Sequence, residues 1–511
     1  MIKLRLCYTS PMKIILTTLN SRFTHSAIGL RYLYANMQEL QQETQILEFS
    51  INDAIQTVAE DILIHQPSIV GIGVYIWNVS EVAELLHVIK KVAPQTRVIL
   101  GGPEVTYTPF RVNLDAADFI IKGEGDTAFY RLCKQIFAAN APSEKIIPMT
   151  LPKLKELKLP YEYYSDDDIK NRYIYVEVSR GCPFECEFCL SSMDEKVRAF
   201  DLDTVLEAFE NLWKRGARNF KFVDRTFNLN IRTANKILDF FLAKEEPYFA
   251  HFEVIPDHFP ESIKEKMKLF THGALQLEIG IQTLNPQVAK NVSRVLNLDK
   301  IHENVHFLQE QTQAHIHLDL IVGLPGESLE SFGKNLDALV ALADCEIQIG
   351  ILKKLSGTYI KRHDVDFEMI YSDIPPYDIL KNSELSFFDI QTMKRFARFW
   401  DLTYNSGNFK RSITLLWKDE SVYENFYAFS LWIYKQTAST WKISLQRLGE
   451  LLFTYLTEVK KLKKESVATP MLEDMMKLKG RAIPAYLKPY AKAFHTKAKL
   501  GTSGFNKRQS L

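Results

Sequence analysis

Val178-Ser179-Arg180-Gly181-Cys182-Pro183-Phe184-Glu185-Cys186-Glu187-Phe188-Cys189 places three cysteines at i, i+4 and i+7 of one short loop. The loop follows a β-rich run, Tyr173 to Val178. A loop of this kind wraps one corner of a cubane iron–sulfur cluster, because thiolate is the soft donor that such clusters take. Three thiolates on a [4Fe-4S] cluster leave one iron without a protein donor. A zinc knot is the competing reading. It takes four donors, usually as two short pairs, and here no fourth Cys or His lies close and the spacing is not paired.

The pattern Cys-x3-Cys-x2-Cys, with Phe188 just before the last cysteine, resembles the cluster loop of the radical S-adenosylmethionine (SAM) enzymes. The resemblance implies that SAM chelates the open iron through its amino and carboxylate groups. An electron from the cluster then cleaves the sulfonium to methionine and a 5′-deoxyadenosyl radical, while the protein supplies position and exclusion of water.

Downstream, strand and helix patterns alternate about six times, up to a strand from Glu346 to Leu352. That alternation predicts a partial (β/α)6 barrel with its chemistry at the carboxyl-end loops, and the cluster loop opens its first unit. Asp224 and Asn228, Glu278-x-Gly280-x-Gln282 and the turn Gly323-Leu324-Pro325-Gly326-Glu327 resemble successive strand ends of the radical SAM barrel. The resemblance implies a backbone contact from Phe188 to adenine and contacts from Glu253 and Gln282 to the ribose and methionine ends of SAM. Arg294 would meet the SAM carboxylate, a pairing suited to the guanidinium fork, and Gly323, Leu324 and Pro325 would border the adenine. Singly, each of these residues also reads as ordinary barrel structure. His251, His258, His272, His315 and His317 read as hydrogen-bonded structural residues; His315 and His317 share one strand face, and no metal is assigned to them.

Upstream, strands alternate with helices from Met12 to Phe137, which predicts a doubly wound parallel sheet of Rossmann or flavodoxin type. The expected helices are Ala27 to Gln42, Ile55 to His65, Val79 to Val92 and Asp126 to Phe137. The strand Ile69 to Tyr75 carries close-approach glycines. Ligands of such sheets sit at the carboxyl ends of the strands, where Asn20–Ser26, Tyr75–Asn78, Gly101–Val105 and Gly123–Gly125 gather. No Gly-x-Gly-x-x-Gly or Walker loop opens a helix, so nucleotide binding finds no support. Gly101-Gly102-Pro103 followed by Gly123-Glu124-Gly125 resembles the cobalamin-binding domain fused to one branch of radical SAM enzymes. The resemblance implies a corrin site built from Asn20, His25, Ser26, Tyr75, Trp77, Gly101, Gly102, Pro103, Glu104, Val105, Gly123, Glu124 and Gly125. Domains that replace the lower cobalt ligand carry Asp-x-His-x-x-Gly. Here Phe23 stands for the Asp and the Gly falls one residue late, so His25 is expected to bond corrin amides or pack the loop rather than ligate cobalt.

The expected organisation is a cobalamin-type α/β domain (12–145), a proline-punctuated linker (146–172), the barrel (173–370) and an aromatic, helical C-terminal domain (371–511). Residues 1–11 read as dispensable. Six cysteines, three of them clustered, do not make a disulfide framework. With no signal peptide, the expectation is a reducing cytoplasm. A net charge of +1 gives no general case for nucleic acid, and the acid-free tail from Lys477 reads as a solvated basic end. Cys7 and Cys133 are the only cysteines of the first domain, too few for the second cluster of a tRNA methylthiotransferase. The resemblance implies radical methyl transfer to an unactivated carbon, a flavodoxin- or ferredoxin-like electron donor and a small-molecule or peptide substrate. Cyclisation or rearrangement with the same cofactors, and a cobalamin- or iron-responsive binding protein without turnover, are the alternatives.

Overall fold

The computed structural model describes residues 13–194, 196–477 and 482–494. Residues 1–11, Cys7 among them, and most of the acid-free tail lie outside them. The chain divides into two compact units. One takes in the chain up to Leu277 with Lys353–Arg362 and Tyr371–Asp378; the other takes in Glu278–Leu352, His363–Ile370 and the chain from Ile379 on.

The first unit opens with β1 (Ile14–Asn20), α1 (Ile28–Ala35), β2 (Thr44–Ser50), α2 (Ile55–Leu63), β3 (Ile69–Gly73), α3 (Val79–Val92), β4 (Arg97–Gly101), β5 (Phe119–Ile121), α4 (Ala128–Phe137) and β6 (Ile146–Ile147). Its strands form one parallel sheet in the order β2-β1-β3-β4-β5-β6. Alternate residues of a strand face opposite sides. Ile15 and Leu19 therefore pack with Val58, Ile62, Val82 and Leu86 of α2 and α3, while Ile14 and Leu16 pack with Leu30, Phe129 and Leu132 of α1 and α4. Helices cover both faces, as the alternation predicts. From β1 the chain turns to one side for β2 and to the other for β3, which opens a crevice at the carboxyl ends of β1 and β3.

Two details depart from the sequence reading. Helix α1 stops at Ala35 rather than near Gln42. There the Asn36 side chain donates to the Tyr32 carbonyl at 2.9 Å and accepts the Lys158 N–H at 3.0 Å, so a long-range contact replaces the next turn. Beyond residue 145, β6 pairs with β5 and lengthens the sheet where a linker was expected.

After α5 (Asp166–Asn171) come β7 (Ile174–Val176), β8 (Ser179–Arg180), β9 (Arg198–Ala199), α6 (Leu202–Lys214), β10 (Asn219–Phe222), α7 (Ile231–Leu242), β11 (Phe249–Val254) and α8 (Glu261–Met267). Strands β7, β10 and β11 run parallel in a second sheet. Asp201 and Asn230 cap α6 and α7 by accepting N–H bonds from Thr204 and Thr233. The two helices bury Phe209 and Phe241 against Phe220 and Phe222. The antiparallel pair β8–β9 closes the base of the cysteine loop.

β12 (Leu275–Gln282) leads the chain into the second unit, followed by α9 (Pro286–Asn291), α10 (Leu298–Gln311), β13 (His315–Val322), α11 (Leu329–Leu342) and β14 (Glu346–Ile351). Helix α9 was not expected; it is one short turn and a half, started by Asn285 accepting the Gln287 and Val288 N–H groups. β13 and β14 pair in parallel. The helices α12 (Phe387–Trp400), α13 (Val422–Thr437), α14 (Leu445–Thr454), α15 (Lys464–Met476) and α16 (Lys488–Phe494) follow. Their aromatic stripe is core: Phe396, Trp400 and Phe426 pack ring to ring. A π-helical turn, Asp401–Asn405, continues α12. It brings the Asn405 amide onto the backbone of β14, accepting from the Ile347 N–H at 3.0 Å and donating to its carbonyl at 2.9 Å. The Trp400 indole donates to the same carbonyl at 3.0 Å. An edge strand is thus satisfied by side chains instead of another strand. Among the described residues, no helix is long and apolar enough to cross a membrane.

Candidate cofactor sites

The cysteine loop leaves the carboxyl side of β7. Cys182 and Cys186 are buried, Cys189 is half-buried, and all three are free thiols. Backbone bonds fix the loop: the Cys189 N–H donates to the Cys186 carbonyl at 3.0 Å and the Cys182 N–H to the Asp194 carbonyl at 3.0 Å. Burial pushes the Cys182 thiol up; an N–H from Phe184 and the Arg225 charge oppose this, and the neighbouring Cys189 and Cys186 add to the rise. Four donors about 2.3 Å from one tetrahedral zinc lie roughly 3.8 Å apart. Among the described residues the three sulfurs do not form a donor group within 4.8 Å of one another. The Phe184 N–H is directed at the Cys182 sulfur.

A cavity of about 210 Å³ opens at the carboxyl ends of β3, β4 and β5, lined also by α1 and the start of α4. Of the expected cobalamin residues, Tyr75, Gly101, Gly102, Gly123, Glu124 and Gly125 line it. Two glycines make the room. A Cβ on Gly71 would fall 2.6 Å from the Phe129 ring, and one on Gly102 2.5 Å from the Val74 carbonyl oxygen, at φ +117°. The Trp77 ring stacks on Tyr75 at 4.5 Å and 8° and is 43% exposed, so the pair forms a flat apolar wall at the rim. The cavity is mostly apolar, with Glu124, Asp126 and Arg180 also in its lining, and its glycines leave the backbone open to a large cofactor.

The remaining expected residues are engaged elsewhere. Asn20 donates to Glu48 at 3.0 Å. Ser26 donates to the Tyr173 carbonyl at 2.7 Å, and the His25 Nδ1 lies 2.6 Å from the Tyr175 hydroxyl. Glu104 and Val105 are buried and Pro103 is exposed, none of them on the cavity.

Sequence reasoning gave no role to Arg180. Its guanidinium bonds Glu177 at 2.9 Å, Glu124 at 2.7 Å and Asp126 at 2.9 and 3.0 Å. It also lies over the Tyr32 ring at 4.6 Å. Arg198 makes a further pair with Glu124. Arg180 lines the glycine cavity and also a second one, of about 190 Å³, beside the cysteine loop with Ser191, Asp194, Asp224 and Arg225. Two residues before Cys182, it forms part of the walls of both.

The expected SAM residues fall in both units. In the first, Asp224 is buried and accepts from the Val178 N–H at 3.0 Å and the Ser179 hydroxyl at 2.5 Å. Burial pushes its carboxyl up to about 7. Asn228 uses its whole amide on the Ile255 N–H, the Ile255 carbonyl and the His258 carbonyl. Both therefore shape the loops around the strand ends. Glu253, the penultimate residue of β11, pairs with Arg225 at 2.6 Å, and Phe188 sits half-buried in the cysteine loop. In the second unit, Gln282 ends β12 with φ +68°, a conformation that costs energy for a non-glycine residue. Its side chain folds back over Gly280, where a Cβ would fall 2.6 Å from Nε2. The Arg294 guanidinium donates to the Gly280 carbonyl at 2.5 Å. The Gly323–Pro325 turn is held by Asn291 on the Pro325 carbonyl at 2.8 Å and Asn382 on the Gly323 carbonyl at 3.3 Å.

Comparison with known proteins matches three parts of the chain. Residues 14–133 match the B12 binding domain, 176–339 the radical SAM superfamily and 365–502 a protein family of unknown function, DUF4080. The uncharacterized methyltransferase PH0819 of Pyrococcus horikoshii is 25% identical over 351 residues, covering 61% of this chain and 74% of that protein. The cobalamin-dependent radical SAM methyltransferase TokK of Streptomyces tokunonensis is 22% identical over 58% of this chain, and the match spans 49% of TokK. The solved cobalamin-dependent S-adenosylmethionine radical enzyme OxsB, with aqua-cobalamin and SAM bound, has a TM-score of 0.60 at 14% identity, covering 96% of this chain and 81% of that one. Fold and site together define a radical SAM enzyme with an N-terminal B12-binding domain. The chain carries a B12 binding domain and a radical SAM domain, and the cofactors that such domains take are cobalamin, SAM and a [4Fe-4S] cluster.

Proposed function

We propose that this enzyme transfers a methyl group from SAM to an unactivated carbon of a small-molecule or peptide substrate. The observation that carries the reading is a three-cysteine loop in the same compact unit as a glycine-lined cavity, with Arg180, two residues before Cys182, in the cavity wall. When bound, cluster and SAM supply hydrogen-atom abstraction and cobalamin carries the methyl group. Cys182, Cys186 and Cys189 hold the cluster, and the Phe184 N–H and the Arg225 charge favour the thiolate at Cys182. The cavity and its glycine loops would take cobalamin, letting backbone approach the corrin, with Tyr75 and Trp77 as a flat wall. In the first unit, Phe188 and Glu253 would keep the SAM contacts that resemblance assigns them. Asp224 and Asn228 act behind those contacts, fixing the Val178–Ser179 and Ile255–His258 backbone. A flavodoxin- or ferredoxin-like protein supplies the electron.

The test is anaerobic reconstitution followed by a product screen with methyl-labelled SAM. Label is expected in a product, alongside 5′-deoxyadenosine. Replacing Cys182, Cys186 or Cys189 with Ala should remove the brown cluster absorbance and bring SAM cleavage to background. A full cluster in all three variants would sink the assignment, and turnover without label transfer would replace methylation by rearrangement.

A further inference from the structure

His315 and His317 alternate along β13, so both imidazoles project from one face of the strand. The parallel register sets Glu346, the first residue of β14, beside His317. Its carboxylate meets both rings: Oε1 lies 2.9 Å from His315 Nε2 and Oε2 lies 3.5 Å from His317 Nε2. The rings themselves stand edge to face at 4.6 Å. One donor atom from each of the three residues lies within 4.8 Å of the other two.

We propose that His315, His317 and Glu346 bind one divalent first-row transition-metal ion, of the zinc(II) or iron(II) class. Donors held at about 2.0–2.1 Å from a tetrahedral ion lie roughly 3.4 Å apart. The two separations, 2.9 and 3.5 Å, fall on either side of that spacing. Two imidazoles and one carboxylate form a borderline-to-hard ligand set that suits such ions. It differs from the soft thiolates of Cys182, Cys186 and Cys189, so the two sites select by chemistry. Access also fits: the His317 and Glu346 side chains are 5% and 6% exposed, whereas that of His315 is 32% exposed and gives an ion entry from solvent. The ion would pin the first residues of two adjacent parallel strands. Without metal, the same separations leave a carboxylate bridging two imidazole N–H donors, and a binding measurement separates the two states.

Cluster-loaded, full-length protein is dialysed anaerobically against Zn²⁺, and metal per chain is measured by mass spectrometry. One zinc per chain beyond the cluster iron is expected. Co²⁺ in place of zinc should give d–d absorption without a thiolate-to-cobalt charge-transfer band. His315→Ala and Glu346→Gln should each weaken zinc binding at least tenfold while cluster iron and cobalamin uptake stay at the wild-type level. His315→Ala, at the exposed ligand, decides the matter if Glu346→Gln loses the cluster as well. Zinc bound no more tightly by wild type than by His315→Ala, or a cobalt spectrum with the thiolate band, overturns the site.

Discussion

Glu327 shows what a buried acid does when no cation answers it. It is 1% exposed; Oε1 accepts from Thr283 at 2.7 Å, Asn335 at 2.7 Å and Ser331 at 3.3 Å, and Oε2 has no partner among the described residues. Burial pushes its carboxyl up to about 7. A carboxyl whose folded pKa is raised holds its proton more tightly in the folded state. The stability that this gives is fully present below the ordinary carboxylate range and is lost as pH rises through about 7. Denaturant stability is therefore expected to fall between about pH 5 and about pH 8. Glu327→Gln, which keeps the shape of the neutral acid, should remove at most about 3 kcal/mol of that slope. An unchanged slope in the variant would show that Glu327 is ionised in the fold. His25 makes the opposite kind of case. Its Nδ1 lies 2.6 Å from the Tyr175 hydroxyl, and the residue is not on the glycine cavity. His25→Ala should leave the cobalt absorption spectrum of bound cobalamin unchanged, whereas a large spectral shift would make it an axial ligand.

At the scale of elements, the short pair β8–β9 gains its importance from the charges it carries. Arg180 answers Glu177, Glu124 and Asp126 at once, and Arg198 shares Glu124. Breaking a buried ion pair by removing one partner costs about 3–5 kcal/mol, because the other charge stays behind. Arg180→Gln should lower the thermal midpoint and reduce the cobalamin retained through gel filtration, since Glu124 lines the cavity. Arg180→Lys should fall between, keeping the charge without the planar fork. Wild-type melting and retention in both variants would reduce the network to decoration. Strand and helix periods were legible in the chain: helix 79–92 stands where the pattern puts it, and strands 69–73 and 346–351 fall within the expected 69–75 and 346–352. The cysteines were legible by spacing, and Gly71 as a close-approach glycine. Arg180 was not, because its partners Glu124 and Asp126 lie more than fifty residues away and nothing local marks them. For the same reason Asn36 shortens α1 through Lys158 and Asn405 caps β14 through Ile347, contacts that local periodicity does not encode. Glu346 belongs here too: the chain shows His315 and His317 sharing a face, but only the pairing of β13 with β14 supplies the third donor.

For the molecule as a whole, the question is how far its centres depend on one another. The glycine cavity is lined by α1, the ends of β3, β4 and β5, the start of α4 and Arg180; none of the three loop cysteines touches it. Sites without shared partners behave additively, and those that share a residue couple through it. Arg180 lines the glycine cavity and a second one that none of the three cysteines lines, and its ion-pair partners are carboxylates rather than the thiols. A chain with Cys182, Cys186 and Cys189 all replaced by Ala should therefore lose its iron yet bind cobalamin within about threefold of the wild-type affinity, a change of under 1 kcal/mol. Equilibrium dialysis of cobalamin against both proteins measures this directly. If the iron-free variant bound cobalamin more than tenfold weaker, the cluster itself would be holding the cobalamin site together. Retained affinity places that task on the sheet and on the Arg180 network, with the cluster loop free to order around its own ligand.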